Sequence, residues 1–95
     1  MSVREKLSMD MINFLNENGL NEVYGVIEGY GENKKYRCLT FCKARVLDGE
    51  IRIYGENCVM VKWETAFRDM SHRGMERFGS LQDAKYFISK NFVRG

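Results

Sequence analysis

The stretch YRCLTFCKARVLDGEIRIYGENCVMVKWE, residues 36–64, decides the fold. It holds three β-rich runs separated by two sets of turn residues. Asp48-Gly49 marks the first turn, because Gly takes positive φ without penalty and Asp tolerates it, which suits a two-residue type I′ hairpin. Counting outward from that pair, Leu47 faces Glu50, Val46 faces Ile51, Arg45 faces Arg52, Ala44 faces Ile53 and Lys43 faces Tyr54. A second turn at Gly55-Glu56-Asn57 brings Val59 and Val61 opposite Ile53 and Ile51.

Strand alternation then sorts two faces. Cys42, Ala44, Val46, Ile51 and Ile53, with Val59 and Val61, form the expected core face. Phe41, Lys43, Arg45, Arg52, Tyr54, Met60 and Lys62 form the opposite one. Cations interleaved with flat rings are what a nucleic-acid platform needs, since the cations meet phosphates and the rings stack on bases. An acidic protein partner suits the same surface. So does plain solvation, with Lys and Arg stems lying over apolar neighbours. Arg45 opposite Arg52 argues for a bound anion or an acidic neighbour, which Glu50 or Glu64 could supply, because facing like charges oppose strand pairing.

Outward from this stretch, Ser2 and Glu5 have capping-box spacing, and Val3, Leu7, Met11, Phe14 and Leu15 recur at helical intervals. A helix from about Val3 to Asn18 is expected, closed by Asn18-Gly19 with Leu20 packing back on it. Residues 22–29 read as a strand in which Gly25 marks a bulge or a close backbone approach, and 29–35 as a hairpin loop. Residues 36–47 read as one long strand that bends near Phe41 or Cys42. Ser80 and Asp83 open a second helix with Leu81, Ala84, Phe87, Ile88 and Phe92 on its buried stripe.

Between these, residues 66–79 read as a long loop rich in charge, carrying Arg68, His72, Arg73 and Arg77 as candidate contacts for a phosphate or a partner. The fold class is therefore α+β: an N-terminal helix, a four-stranded antiparallel sheet and a C-terminal helix, forming one two-layer domain over residues 1–95.

Ninety-five residues with 44% hydrophobic and 13% aromatic content suit a folded globule rather than a disordered tail. No apolar run approaches 18 residues, and the first helix carries Glu5 and Asp10, so neither a membrane span nor a secretory signal is expected. The formal charge of +2 hides a polarity: residues 1–32 carry a net −4 and residues 33–95 a net +6. The acidic side of the first helix, with Glu5, Asp10 and Glu17, reads as solvated, or as a patch for a basic enzyme or for the basic face of a second copy. A homodimer is thus among the partners this chain allows.

Cys38, Cys42, Cys58 and His72 lack the short CxxC spacing of zinc sites, so free thiols, no metal and a reducing cytoplasm are expected. His72 neighbours Ser71, Asp69 and two arginines, but no nucleophile, base and orienting carboxylate are arranged as catalysis requires. The chain reads as a non-enzyme without a cofactor.

The order helix, strands, helix resembles the double-stranded-RNA-binding domain in topology. That family's lysine cluster would fall on Gly79-Ser80-Leu81-Gln82-Asp83, where no Lys stands, so its contacts do not carry over. In size and in its lack of a catalytic signature the chain resembles the small accessory proteins that large tailed phages make to redirect host machinery. That resemblance implies a binder in the cytoplasm of a bacterial host. Nucleic acid is the first expected ligand. The alternative is a host protein, such as a nuclease or toxin of a defence system, blocked through the same surface.

Overall fold

The computed structural model describes residues 2–20, 22–31, 34–43, 47–67 and 70–93, with the backbone alone for 22–25, 43, 47–48, 65–67 and 70–72. Helix α1 (Val3–Glu17) is followed by β1 (Glu22–Gly31), β2 (Lys34–Lys43), β3 (Leu47–Gly55), β4 (Cys58–Phe67), β5 (Met70–Phe78) and helix α2 (Leu81–Phe92). The strands form one antiparallel meander in chain order, β1-β2-β3-β4-β5. Both helices lie on one side of it, α1 over β2 and β3 and α2 over β4 and β5, touching each other along their flanks.

The helix ends follow local chemistry. The Glu5 N–H donates to Ser2 Oγ at 3.2 Å, which makes Ser2 the expected N-cap, and the Glu5 carboxylate turns back to accept from the Ser2 hydroxyl at 3.2 Å rather than from its backbone N–H. At the other end Gly19 has φ 75°, the Leu20 N–H reaches the Leu15 carbonyl at 2.8 Å, and both leucines are buried. This is the Schellman closure that Asn18-Gly19 predicts. Ser80 caps α2 by accepting from the Asp83 N–H at 3.1 Å. Lys85 of α2 meets Asp10 of α1 at 2.8 Å and joins the helices across their shared flank.

The core lies between helices and sheet. Met11 and Leu15 of α1, Leu20 behind it, and Leu81, Ala84 and Ile88 of α2 cover Leu39, Phe41, Ile51, Ile53, Val59 and Val61. The pairings Ile51 with Val61 and Ile53 with Val59 are those expected, and Glu56-Asn57 makes the turn before Cys58. The pairing of β1 with β2 shifts register between Val23 and Gly25, which fits the bulge, one of the two readings of Gly25.

Three expectations are corrected. First, Asp48-Gly49 is not a turn: Asp48 pairs with Cys42 and Gly49 with Phe41, well inside the ladder. The strand read as 36–47 ends at Lys43, and β2 pairs with β3 without a break near Phe41. Gly49 is needed there for space, because a Cβ on it would overlap the Phe41 ring.

Second, Phe41 is consequently buried on the core face and Cys42 lies on the opposite one. Third, the sheet has five strands. Residues 70–78, read as loop, form β5, paired with β4 from Val59↔Phe78 to Phe67↔Met70. An edge strand needs only one half-apolar side and is kept soluble by charge, so its sequence resembles a loop. Gly74 repeats the Gly49 arrangement, its missing Cβ leaving room for the Trp63 ring.

Gly49→Ala and Gly74→Ala should each cost about 1–3 kcal/mol by overpacking. Gly55→Ala, whose Cβ would meet nothing within 4 Å, should stay within about 0.5 kcal/mol of the parent. Urea unfolding midpoints of the three variants provide the comparison.

Candidate functional site

No described element covers the side of the sheet away from the helices, and strand alternation decides what it shows. Two rows of the ladder cross its middle. One runs Ile27, Cys38, Arg52, Met60, Arg77, and the other Gly25, Thr40, Glu50, Lys62, Met75. Tyr36 and Tyr54 lie towards the end formed by the β1–β2 and β3–β4 turns, and Glu64 pairs with Arg73 towards the other.

Glu50 is the hub. Its carboxylate accepts from Arg52 Nε at 3.0 Å and from the Cys38 thiol at 3.1 Å. Arg52 also places its guanidinium 4.9 Å from the centre of the Tyr36 ring, which stands 5.1 Å from Tyr54. Burial works against the charge on Arg52, but hydrogen bonds to Tyr54 and Glu50 and the Glu50 charge outweigh it, and its pKa is raised. Arg52 sits between Cys38 and Met60 in its row, and these are only 1% and 3% exposed on a face that no described element covers. Long stems laid over apolar neighbours produce that combination.

Burial, and then the bond to Glu50, pushes the Cys38 thiol from 9.0 up to about 12. A thiol held protonated is a poor nucleophile, so this cysteine is a packing group rather than a reactive one. Cys42 and Cys58 are partly exposed and belong to no disulfide. Among the described residues no group of three His, Cys, Asp or Glu side chains could hold a metal ion. No described helix is long and apolar enough to cross a membrane.

Of the residues expected to form the site, Arg52, Tyr54, Met60, Lys62, Arg73 and Arg77 share the open face. Phe41 does not, being in the core. Lys43 pairs with Leu47 and His72 with Thr65 in the backbone ladder. Arg45 and Arg68 lie outside the described residues, as do Val46 and Ala44. The expected pairing of Arg45 with Arg52 is replaced by Cys38 with Arg52, so the charge that demanded a neutralising anion is answered within the sheet by Glu50.

Tyr36, Cys38, Thr40 and Met75 complete the face and escape a reading that starts from Asp48-Gly49, which already offers Glu50 and Glu64 as acidic neighbours. Alternation counted from Phe41 packed over Gly49 would have found the first three. A shallow groove of about 430 Å³ crosses the face, lined by Thr40, Glu50, Lys62, Glu64 and Arg73 among others.

Ion pairs punctuate the surface: Arg52 with Glu50 at 3.0 Å and Arg73 with Glu64 at 3.5 Å. The second is exposed on both sides and contributes at most about 1 kcal/mol. Large apolar side chains stand at both margins, Ile27 62% and Met75 59% exposed. Compared with known proteins, the chain matches no family model, no curated protein and no solved structure.

Two outcomes follow for Cys38. At pH 8 iodoacetamide should modify Cys42 and Cys58 far faster than Cys38, whose thiolate fraction is roughly a thousandfold below that of a free thiol, and Glu50→Gln should narrow the gap. Because its pKa in the fold, about 12, exceeds the ordinary 9.0, the unfolded chain loses this proton first. Stability should therefore fall as pH rises above about 9, and Cys38→Ala should flatten that fall in pH-dependent urea unfolding.

Proposed function

We propose that this chain is a non-enzymatic binding protein that docks a partner protein on the open face of its sheet, in the manner of an inhibitor covering the working surface of an enzyme. The observation that carries the reading is the interleaving of Glu50 and Glu64 with Arg52, Lys62 and Arg73. A polyanion tracking across this face would meet a carboxylate beside its cations. A protein surface presents both signs and can match such a pattern. Tyr36, Tyr54, Ile27 and Met75 supply the aromatic and apolar anchors that interface centres favour. The resemblance to phage accessory proteins directs the choice of partner to a bacterial host enzyme, a nuclease or toxin of a defence system, met in the cytoplasm.

Single-stranded nucleic acid is the second reading, and one observation favours it. Arg52 over Tyr36, next to Tyr54, is a cation on a ring pair of the kind that stacks on splayed bases.

Salt dependence separates the two. For a protein partner, Tyr54→Ala should cost about 2 kcal/mol or more of binding energy while affinity changes little between low and moderate salt. For a single strand, log affinity should fall against log salt with a slope of about −0.7 per phosphate contact, and Lys62→Ala with Arg73→Ala should flatten it. Titration of the partner that co-purifies reads both quantities. A steep slope with Tyr54→Ala tolerated would reject the inhibitor reading.

A further inference from the structure

We propose that the outer edge of β5, with the groove separating it from α2, accepts an extended acidic segment of a partner protein as a sixth strand of the sheet. This edge adjoins the open face and shares Arg73 and Arg77 with it, but its occupant would be held by the backbone of β5 and by the groove.

The sheet order ends at β5, so the side of Met70–Phe78 turned away from β4 carries backbone donors and acceptors that no strand of this chain pairs among the described residues. Alongside runs a groove of about 480 Å³, lined by Arg77, Phe78, Tyr86, Phe87 and Lys90 among others. Asp83, Tyr86, Phe87, Lys90 and Asn91, all lining it, recur at three- and four-residue intervals and so share one flank of α2. Lys85, held by Asp10 of α1, marks the opposite flank. The lining flank is therefore turned away from α1, towards the margin of the sheet. Phe78 and Phe87, 5.1 Å apart, give the groove an apolar floor, and Tyr86, 67% exposed, stands beside it. An edge strand flanked by such a groove is the geometry of strand addition, in which backbone bonds give affinity and alternate side chains enter the groove.

Charge selects the occupant. Arg73 and Arg77 stand on the same side of β5 four residues apart, so acidic side chains opposite them are favoured, while the groove side carries both Lys90 and Asp83. Arg73 already meets Glu64, but at 3.5 Å and well exposed, a pair that an incoming carboxylate can displace. Glu76, on the groove side, calls for a neutral or basic residue at the position facing it.

A second copy suits the edge poorly. Antiparallel pairing of two β5 strands centred on Met75 sets Arg73 of each directly against Arg77 of the other, which opposes pairing. The other margin, β1, is interrupted by its bulge between Val23 and Gly25, a feature that turns an edge away from pairing.

Fluorescence anisotropy on the full chain tests this, using a labelled nonapeptide of alternating acidic and apolar residues and the same peptide N-methylated at every second amide. The acidic peptide should bind, and N-methylation should weaken it about tenfold or more, as should Arg73→Glu combined with Arg77→Glu. Tyr86→Ala, at an exposed position that folding does not need, should weaken it as well. On binding, the β5 amides that face away from β4 should gain protection from hydrogen exchange. Absence of binding, equal binding of the N-methylated peptide, or equal binding of a peptide of alternating basic and apolar residues would overturn the proposal. So would loss of binding on Lys62→Glu, which would place the peptide on the open face instead.

Discussion

Two rings laid over two glycines hold the sheet in register. Phe41, Gly49, Trp63 and Gly74 occupy one row across β2, β3, β4 and β5, so large and absent side chains alternate from strand to strand. Facing residues in an antiparallel pair place their Cβ atoms within about 5 Å, too close for a ring to fold over a neighbour that has one. With none at Gly49 and Gly74, both rings lie flat on the sheet and become a floor for the helices. Phe87 and Phe92 of α2 then pack tilted against Trp63, with ring centres 5.2 and 5.6 Å away. A slip of one residue would push a side chain under each ring and turn the apolar rows to solvent, so packing and register enforce each other.

That constraint also explains what the sequence conceals. Helix ends are legible because each depends on a few consecutive residues: Ser2 with Glu5, Asn18 with Gly19, Ser80 with Asp83. The β3–β4 pairing is legible too, from two valines meeting two isoleucines across a short turn. Asp48-Gly49 misleads because a glycine between β-rich runs has two physical uses, and only the partner strand tells which applies. Taken as a turn, it sets Arg52 opposite Arg45. In the fold Arg52 stands opposite Cys38, an odd number of residues away, and an odd displacement exchanges the two faces of β2. Phe41 thereby moves from candidate ligand contact to core, while Tyr36 and Cys38 move outward. β5 escapes notice for a different reason: its apolar requirement is met largely by Phe78, leaving charged positions that look like a loop.

The exchange of faces changes the electrostatics more than the shape. The expected surface was a run of cations with aromatics between them. The actual one has Glu50 at its centre, holding Arg52 on one side and the Cys38 thiol on the other. A carboxylate with two donors is fixed in place, and it fixes Arg52 against the Tyr36 ring in turn. A preset side-chain array loses little conformational freedom when a partner arrives, which favours tight recognition of a matching surface over loose electrostatic tracking.

The charges on β5 have a use whatever the protein binds. An uncovered sheet that ends in a bare edge invites pairing with its own copies, and charge on the edge strand is a common remedy. Here the remedy is uneven in sign. Arg73 and Arg77 are both positive on one side of the strand, so the pairing they oppose most directly is that of β5 with itself. The same two side chains attract a strand that carries acidic residues at the matching spacing. Repulsion between copies and attraction for an acidic segment thus come from one arrangement of charge. An edge protected by one positive and one negative residue would have kept copies apart less well and selected nothing.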